Sequence, residues 1–341
     1  MQSELSEADL ALVHALQHRP RAAWSELAPV LGVSAATLAA RWHRLRADGL
    51  SWVTAYPVAV VTGPALVALV EVDCAAGTVA EVSTRLAADP RVATIEHAAR
   101  GRDLILTVFA DSFADLASAL LDDLAVTPGV VSTRAHIAAR IHLEGSRWRL
   151  DALDAGQLET LRAQERADRG DPVPPPVDLR GPTYAPLVAA LGRDGRASAT
   201  ELAAATGRPA STVRRQLSRL IRSRAVVFRC EVAQLRTRWP VCVTWWCRVP
   251  GAAQDDLVAQ LRAEPRVRLC LSLTGPANFL VTMWTASLPD VMAVQTWLEG
   301  RLGGGEIVDT SVILRTRKRM GWLLHPDGRC TDEVVPLAVV R

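Results

Sequence analysis

An α+β fold built twice in one chain, each time as a small helical unit followed by a mixed strand-and-helix unit, is predicted by three observations. A short amphipathic helix with a basic flank occurs at residues 35–46 and returns at 210–221. The first copy is followed by periodicities in the order strand, helix, strand, strand, helix, strand. One constant offset of 175 positions lays Leu187, Val188, Ala190, Leu191, Arg196, Ala197, Glu201, Leu202, Ala203, Gly207, Ala210, Thr212, Arg219 and Leu220 on identical residues between Leu12 and Leu45, without a gap. It also lays Glu264-Pro265-Arg266-Val267 on Asp89-Pro90-Arg91-Val92. A long-period internal repeat outranks any local reading, so the whole two-part unit is duplicated.

The helical unit opens at Ser6-Glu7-Ala8-Asp9, a capping box with Asp in place of Glu, and turns Leu10, Val13 and Leu16 inward. Arg19-Pro20-Arg21 ends this helix. A second helix spans residues 24–31, and Gly32 provides the sharp turn after it. In the third helix Leu38, Trp42 and Leu45 form the apolar stripe while Arg41, Arg44 and Arg46 lie off it. Gly49 is placed to stop it in the left-handed conformation. Residues 50–59, alternating and aromatic, then fit a short two-stranded wing and an exit strand. Helix, glycine turn and basic helix together are a helix-turn-helix signature.

From Ala65 the strand ALVALVEVD leads to a capping box at Thr78–Glu81 and a helix to Ala88. Two further strands, VATIEHA and LILTVFAD, meet at a tight turn, Arg100-Gly101-Arg102-Asp103. Ser112 and Asp115 cap a second helix to Leu124, Pro128-Gly129 stops it, and VVSTRAHIAARIH is the last strand. This order predicts a ferredoxin-like βαββαβ unit with both helices on one face. The uncovered face should then be polar. Instead Leu104, Leu106 and Val108 alternate with Ile105, Thr107 and Phe109, so both faces call for burial and the helix-free face is expected to meet another sheet.

Between the copies, Asp154–Gln157 opens an exposed helix to about Arg166, and residues 170–176 form a stiff proline-rich linker. The expected division is 1–58 and 183–236 for two winged helix-turn-helix domains, 62–145 and 238–320 for the two ferredoxin-like domains, 146–182 for the linker and 321–341 for a tail apolar enough to dock.

With 341 residues, 49% of them hydrophobic, the chain can build several cores. A net charge of +3 is only mildly basic, so a nucleic-acid surface has to be a local patch. Residues 207–224 supply one, with six arginines and no acid, whereas residues 151–171 carry six acids against three bases. The six cysteines contain no C-x-x-C pair and read as reduced packing residues; no metal set is expected. The acidic N-terminus lacks a signal-peptide pattern and no run of about 18 apolar residues occurs, which predicts a soluble cytoplasmic protein, associated with the bacterial nucleoid and without a membrane partner.

The stretches ELAPVLGVSAATLAARWHRLRADGL and ELAAATGRPASTVRRQLSRLIRSRAV, with DPRVATIEHAARGRDLILTVFAD and EPRVRLCLSLTGPANFLVTMWTA, resemble the Lrp/AsnC (feast/famine) transcriptional regulators, whose ferredoxin-like part is the RAM domain. The resemblance implies double-stranded DNA as partner, with the third helix in the major groove. Its reading residues would be Ser34, Thr37, Arg41 and Arg44, and Arg208, Ser211, Thr212, Arg214, Arg215 and Arg219 in the second copy. It also implies an amino-acid-like effector, and no cofactor, near the glycine turns Gly101-Arg102-Asp103 and Gly275-Pro276-Ala277-Asn278. Family members pair through their sheets, so this chain resembles a fused dimer in which residues 65–142 pack on 241–317; the alternative is that each unit pairs with another chain in a homo-oligomer. Gln216 replaces Arg41 in the second copy, and Ala35, Ala36, Ala39 and Ala40 leave the first helix bare, so two unequal half-sites are expected. The siroheme decarboxylases resemble the same tandem architecture, but His97 has only Ser272 as its counterpart here. A pure assembly module is the third reading, and the acid-free arginine helix speaks against it.

Overall fold

A computed structural model describes residues 5–59, 65–99, 101–169 and 173–338. Arg100 of the first glycine turn and residues 170–172 of the linker lie outside them. The first helical unit comprises α1 (Glu7–His18), α2 (Trp24–Leu31), α3 (Ala35–Ala47) and strand β1 (Ser51–Pro57). Its counterpart comprises α7 (Ala185–Arg193), α8 (Ala199–Thr206), α9 (Ala210–Arg222) and β6 (Val226–Val232). Both bounds of α2, α3 and β1 differ from those of α8, α9 and β6 by the same 175 positions, so the sequence offset is also a structural one. Ser6 and Asp9 cap α1 reciprocally. Gly32 and Gly207 turn the chain at φ of +66° and +65°, which a side chain resists.

The two-stranded wing expected at residues 50–59 is corrected. β1 is a single strand, buried along its length, and its partner is β6 of the other copy, from Ser51 opposite Val232 to Pro57 opposite Val226. Thr54 faces Arg229 at the centre, and these two are themselves 175 apart, so the ribbon has the symmetry of a two-fold axis. The helical units repeat that exchange. Arg21 donates to the carbonyls of Gly195 and Ala197, and Arg196 donates to those of Pro20 and Ala22. Each contact is the other moved by the offset, which is what two copies of one surface produce when they meet.

Beyond the ribbon come β2 (Leu66–Cys74), α4 (Val79–Ala87), β3 (Val92–Ala99), β4 (Leu104–Ala110), α5 (Phe113–Ala117, widening into a π-helical turn to Leu124) and β5 (Val130–Leu143). Their counterparts are β7 (Val241–Arg248), α10 (Gln254–Ala263), β8 (Val267–Leu273), β9 (Phe279–Thr285), α11 (Leu288–Glu299) and β10 (Glu306–Arg319). The strand orders are β5-β2-β4-β3 and β10-β7-β9-β8. The expected face-to-face packing of two separate sheets is corrected too. β5 pairs with β8 and β10 with β3, and the two seams close the halves into one eight-stranded barrel. This resolves the doubly apolar strands: Leu104, Leu106 and Val108 pack under the helices, while Ile105 and Phe109 join Leu271, Leu273 and Leu280 inside the barrel.

Two local expectations also change, and the tail acquires a place. Thr78 makes no capping bond; its hydroxyl donates to Ala75 O at 2.8 Å. The linker helix α6 (Ala155–Arg169) is not simply exposed, because Leu161 is fully buried in the core of the first helical unit and Gln157 donates to Val30 O. The tail forms β11 (Trp322–Leu324) and β12 (Cys330–Val334), a hairpin continuing the edge of β10. Its Trp322 packs against Trp52 of the ribbon with ring centroids 5.9 Å apart and donates to Gly192 O.

Gly49 joins this hairpin to the first helical unit, its carbonyl accepting from Cys330 N at 2.9 Å. Its φ is +68°, and a Cβ there would sit 2.5 Å from Cys330 O. Gly49→Ala is therefore expected to cost about 2–4 kcal/mol, from left-handed strain plus overpacking. A urea midpoint unchanged from the parent would show that the hairpin does not dock there.

Candidate functional site

α9 presents two faces. Val213, Leu217 and Leu220 enter the core of the second helical unit, while Ser211, Arg214, Arg215, Arg219 and Arg222 are exposed and Thr212 is half-buried. Arg214, Arg215 and Arg219 carry no ion pair among the described residues. Arg208, expected on this surface, is turned elsewhere: its guanidinium donates to the carbonyls of Pro182 and Thr183 and to Gln216. That arginine fastens the linker to the helix.

α3 is arranged differently. Ser34 caps it, accepting from Thr37 N at 3.1 Å and sharing a hydroxyl hydrogen bond of 2.8 Å with Thr37. Arg44 Nη2 lies 2.5 Å from Asp9 Oδ1, and Arg41 Nε lies 3.8 Å from the same oxygen. The Asp9 side chain is only 3% exposed, so the arginines expected to face DNA in this copy also neutralise a buried acid on α1. The equivalent of Asp9 in the second copy is Tyr184, which leaves α9 without that restraint.

The glycine turns also depart from the effector expectation. Asp103 Oδ2 accepts from Cys74 N at 2.7 Å, and Asn278 Oδ1 accepts from Val249 N at 2.8 Å while its Nδ2 donates to Val249 O. Both partners are again 175 positions apart, so Asp103 and Asn278 are one structural clamp seen twice, tying the turn to the end of the neighbouring strand. Gly101 and Gly275 hold the turn at φ of +75° and +110°. Arg102 is buried against Glu71, Asp309 and Ser311 and stacks on Trp246, sealing that end of the barrel. Asp103→Asn is expected to leave the thermal midpoint nearly unchanged, whereas Asp103→Ala loses about 1–2 kcal/mol through the orphaned amide; equal losses in both would point to a role for the charge itself.

The opposite end of the barrel, under the ribbon, contains a cavity of about 130 Å³. Arg229, Arg268, Arg319, Glu96 and Tyr56 line it together with apolar side chains of both halves. Glu231, 1% exposed, lies behind: it pairs with Arg229, and its Oε2 is 3.4 Å from Arg268 and 3.9 Å from Arg319. Burial alone would raise the Glu231 carboxyl, but the three guanidiniums, Arg229 foremost, hold it below the usual range. Burial raises Glu96 and lowers Arg268 to about 9. Sequence reading missed this cluster, although Arg229 and Glu231 in VVFRCEV and Arg268 in VRLCLSL are charges set within otherwise apolar strands.

These features define a class: a protein with two helix-turn-helix units joined over a closed barrel. Residues 5–46 match the AsnC-type helix-turn-helix domain, and residues 187–226 match a winged helix-turn-helix DNA-binding domain. The chain thus carries an AsnC-type helix-turn-helix unit and, in its second half, a second winged helix-turn-helix unit. It is 29% identical over 138 residues to an uncharacterised helix-turn-helix-type transcriptional regulator of Pyrococcus furiosus, covering 40% of this chain and 93% of that one. It is 26% identical over 145 residues to the regulator FL11 of Pyrococcus horikoshii, covering 42% and 95%. Among solved structures, the siroheme decarboxylase NirDL shares the fold over 92% of this chain and 93% of its own, at 13% identity and a TM-score of 0.55.

Proposed function

We propose that this chain is a sequence-specific transcriptional regulator that grips double-stranded DNA with two unequal arms and answers to a small molecule. The observation that supports it most is the acid-free face of α9, where Arg214, Arg215 and Arg219 are exposed and uncommitted beside Ser211 and Thr212. Arginine forks suit guanine edges and phosphates, and hydroxyls serve either. The first arm, with Ser34 and Thr37 at the start of α3 and Arg41 and Arg44 partly held by Asp9, is the weaker reader. The binding domains would be residues 1–58 and 183–236, and the strand orders favour reading 62–145 and 238–320 as ferredoxin-like RAM domains closed on each other as an intramolecular pseudo-dimer. Residues 146–182 would link the copies, and in the tail, 321–341, the hairpin of β11 and β12 braces them. A homo-oligomer formed by further self-association is part of the same reading. Among the described residues no helix is long and apolar enough to cross a membrane, in keeping with work on DNA in the cell interior.

Fluorescence anisotropy with a labelled duplex from the region upstream of its own gene tests this. Affinity should fall with salt at a log-log slope of about −0.9 per phosphate contact, and sequence-selective retention should survive competitor DNA. Absence of any salt-dependent binding would end the proposal.

A tetrapyrrole-directed enzyme has the shared fold in its favour. The barrel interior does not suit it as the site, since about 130 Å³ falls well short of the roughly 300–1,000 Å³ that drug-sized ligands occupy, and a tetrapyrrole exceeds those. Tight, saturable absorbance changes on titration with an iron-uroporphyrin would reverse the preference.

A further inference from the structure

We infer that the cavity under the ribbon binds a small organic monoanion: one carboxylate carried on a compact apolar or aromatic body. Eight-stranded barrels have an interior just wide enough to be filled by side chains or to hold one small ligand. Here the filling is incomplete. The cavity of about 130 Å³ is close to the ~150 Å³ that accommodates a benzene ring in a protein interior. Ile105, Phe109, Leu271, Leu280 and Trp284 offer the apolar walls.

The charged end specifies the sign. Arg319 is 6% exposed, and its Nη1 has no hydrogen-bond partner, so a buried cationic donor lines the cavity unsatisfied. Arg229 Nε is likewise without one. Glu144 is occupied by Tyr56 and Ser146, and Glu231 faces all three guanidiniums. Burial favours the neutral form of Glu96. Two guanidinium nitrogens, Arg319 Nη1 and Arg229 Nε, thus stand without an acceptor, and an incoming anion would supply one.

The duplication shows that the fold does not require this cluster. The first copy builds the same strands with Thr54, Tyr56 and Ala93 where the second has Arg229, Glu231 and Arg268. Buried ion clusters contribute little net stability compared with well-packed apolar side chains. Guanidiniums supplied by one half only of a duplicated barrel, Arg229, Arg268 and Arg319, therefore fit a ligand better than a scaffold. Because Tyr56 and Arg229 belong to β1 and β6, an occupant would touch the ribbon that ties the two helix-turn-helix units together. Its use as a signal rests on the regulator reading above, but its binding does not.

The test is isothermal titration of the full chain, without DNA, using benzoate, 3-methylbutanoate and the neutral analogue benzamide, with tryptophan fluorescence as a second readout through Trp284. One equivalent of at least one carboxylate should bind saturably, at least tenfold tighter than benzamide, and Arg319→Gln should weaken it at least tenfold. Leu280→Trp, which fills the cavity, should abolish binding while circular dichroism shows the fold intact. No saturable carboxylate binding, or benzamide binding as well as benzoate, overturns the inference on the parent chain alone, whatever the variants do. Carboxylate binding by a chain that ignores DNA would overturn the regulator reading and leave this site standing.

Discussion

Replacing Arg214 and Arg215 together by alanine is expected to weaken DNA binding of the full chain by two orders of magnitude or more. Each arginine that contacts a base is worth about 1–3 kcal/mol, and each that contacts phosphate should reduce the salt slope by about one. Neither has another task in the fold: both are exposed on α9, unpaired among the described residues, while Val213, Leu217 and Leu220 hold the helix in place from its other side. Stability should therefore be unchanged within about 0.5 kcal/mol. Arg44→Ala should behave in the opposite way. It strips the near-buried Asp9 of its closest cation, so it should lower stability by about 1–3 kcal/mol while changing DNA affinity less than the α9 pair. Anisotropy titrations and urea unfolding on the same samples decide the matter; a larger loss of affinity in Arg44→Ala than in the double variant would place the principal reader on α3.

The contrast between these two helices marks where reading the sequence works and where it stops. The offset of 175 positions is visible from identities such as Arg21 with Arg196 and Ala22 with Ala197, and those residues exchange reciprocal hydrogen bonds across the pseudo-two-fold axis. Local signals read well also where their physics is local. The capping box of α1, the left-handed glycines at positions 32, 49 and 207, and the alternation along β4 needed no knowledge of distant partners. What failed was pairing at long range. Residues 50–59 carry a strand signal, but nothing in their pattern says whether the partner strand is a neighbour or lies 175 positions away. The linker helix reads as exposed from its many charges, and only the docked core of α1 and α2 shows why it carries Leu158 and Leu161. Asp103 and Asn278 seemed poised for a ligand because an acid or amide beside a glycine turn has that chemistry; their side chains are spent on the backbone of Cys74 and Val249. The barrel cluster was hardest to see, since its members come from β1, β3, β6, β8 and β10 and a closed barrel alone brings them together.

Glu231→Ala is expected to be the most destabilising single change in this chain, at about 3–5 kcal/mol, because it leaves three buried guanidiniums without their shared counter-ion. The pH dependence follows from the sign of its shift. Burial opposes ionisation of Glu231, yet Arg229, Arg268 and Arg319 outweigh it and hold its folded-state pKa below the unfolded value of about 4.3. Its contribution is thus fully present above that unfolded value and is lost as pH falls through the folded one. The deficit of the variant should be constant near neutrality and shrink in acid, as measured by urea midpoints from pH 7 down to the acid limit of the parent. Glu231→Gln should suffer nearly as much, since it keeps the shape and loses the charge. Replacing Arg229, Glu231 and Arg268 together by Met, Leu and Met leaves Arg319 as the one guanidinium of the cluster and should recover part of the stability, as apolar replacements of buried ion groups commonly do. A recovered fold that no longer takes up a carboxylate would separate what the cluster does for the barrel from what it does for a ligand. Persistent instability in the triple variant would instead make the buried charges a structural requirement of the second copy, one that the first copy meets with Thr54, Tyr56 and Ala93.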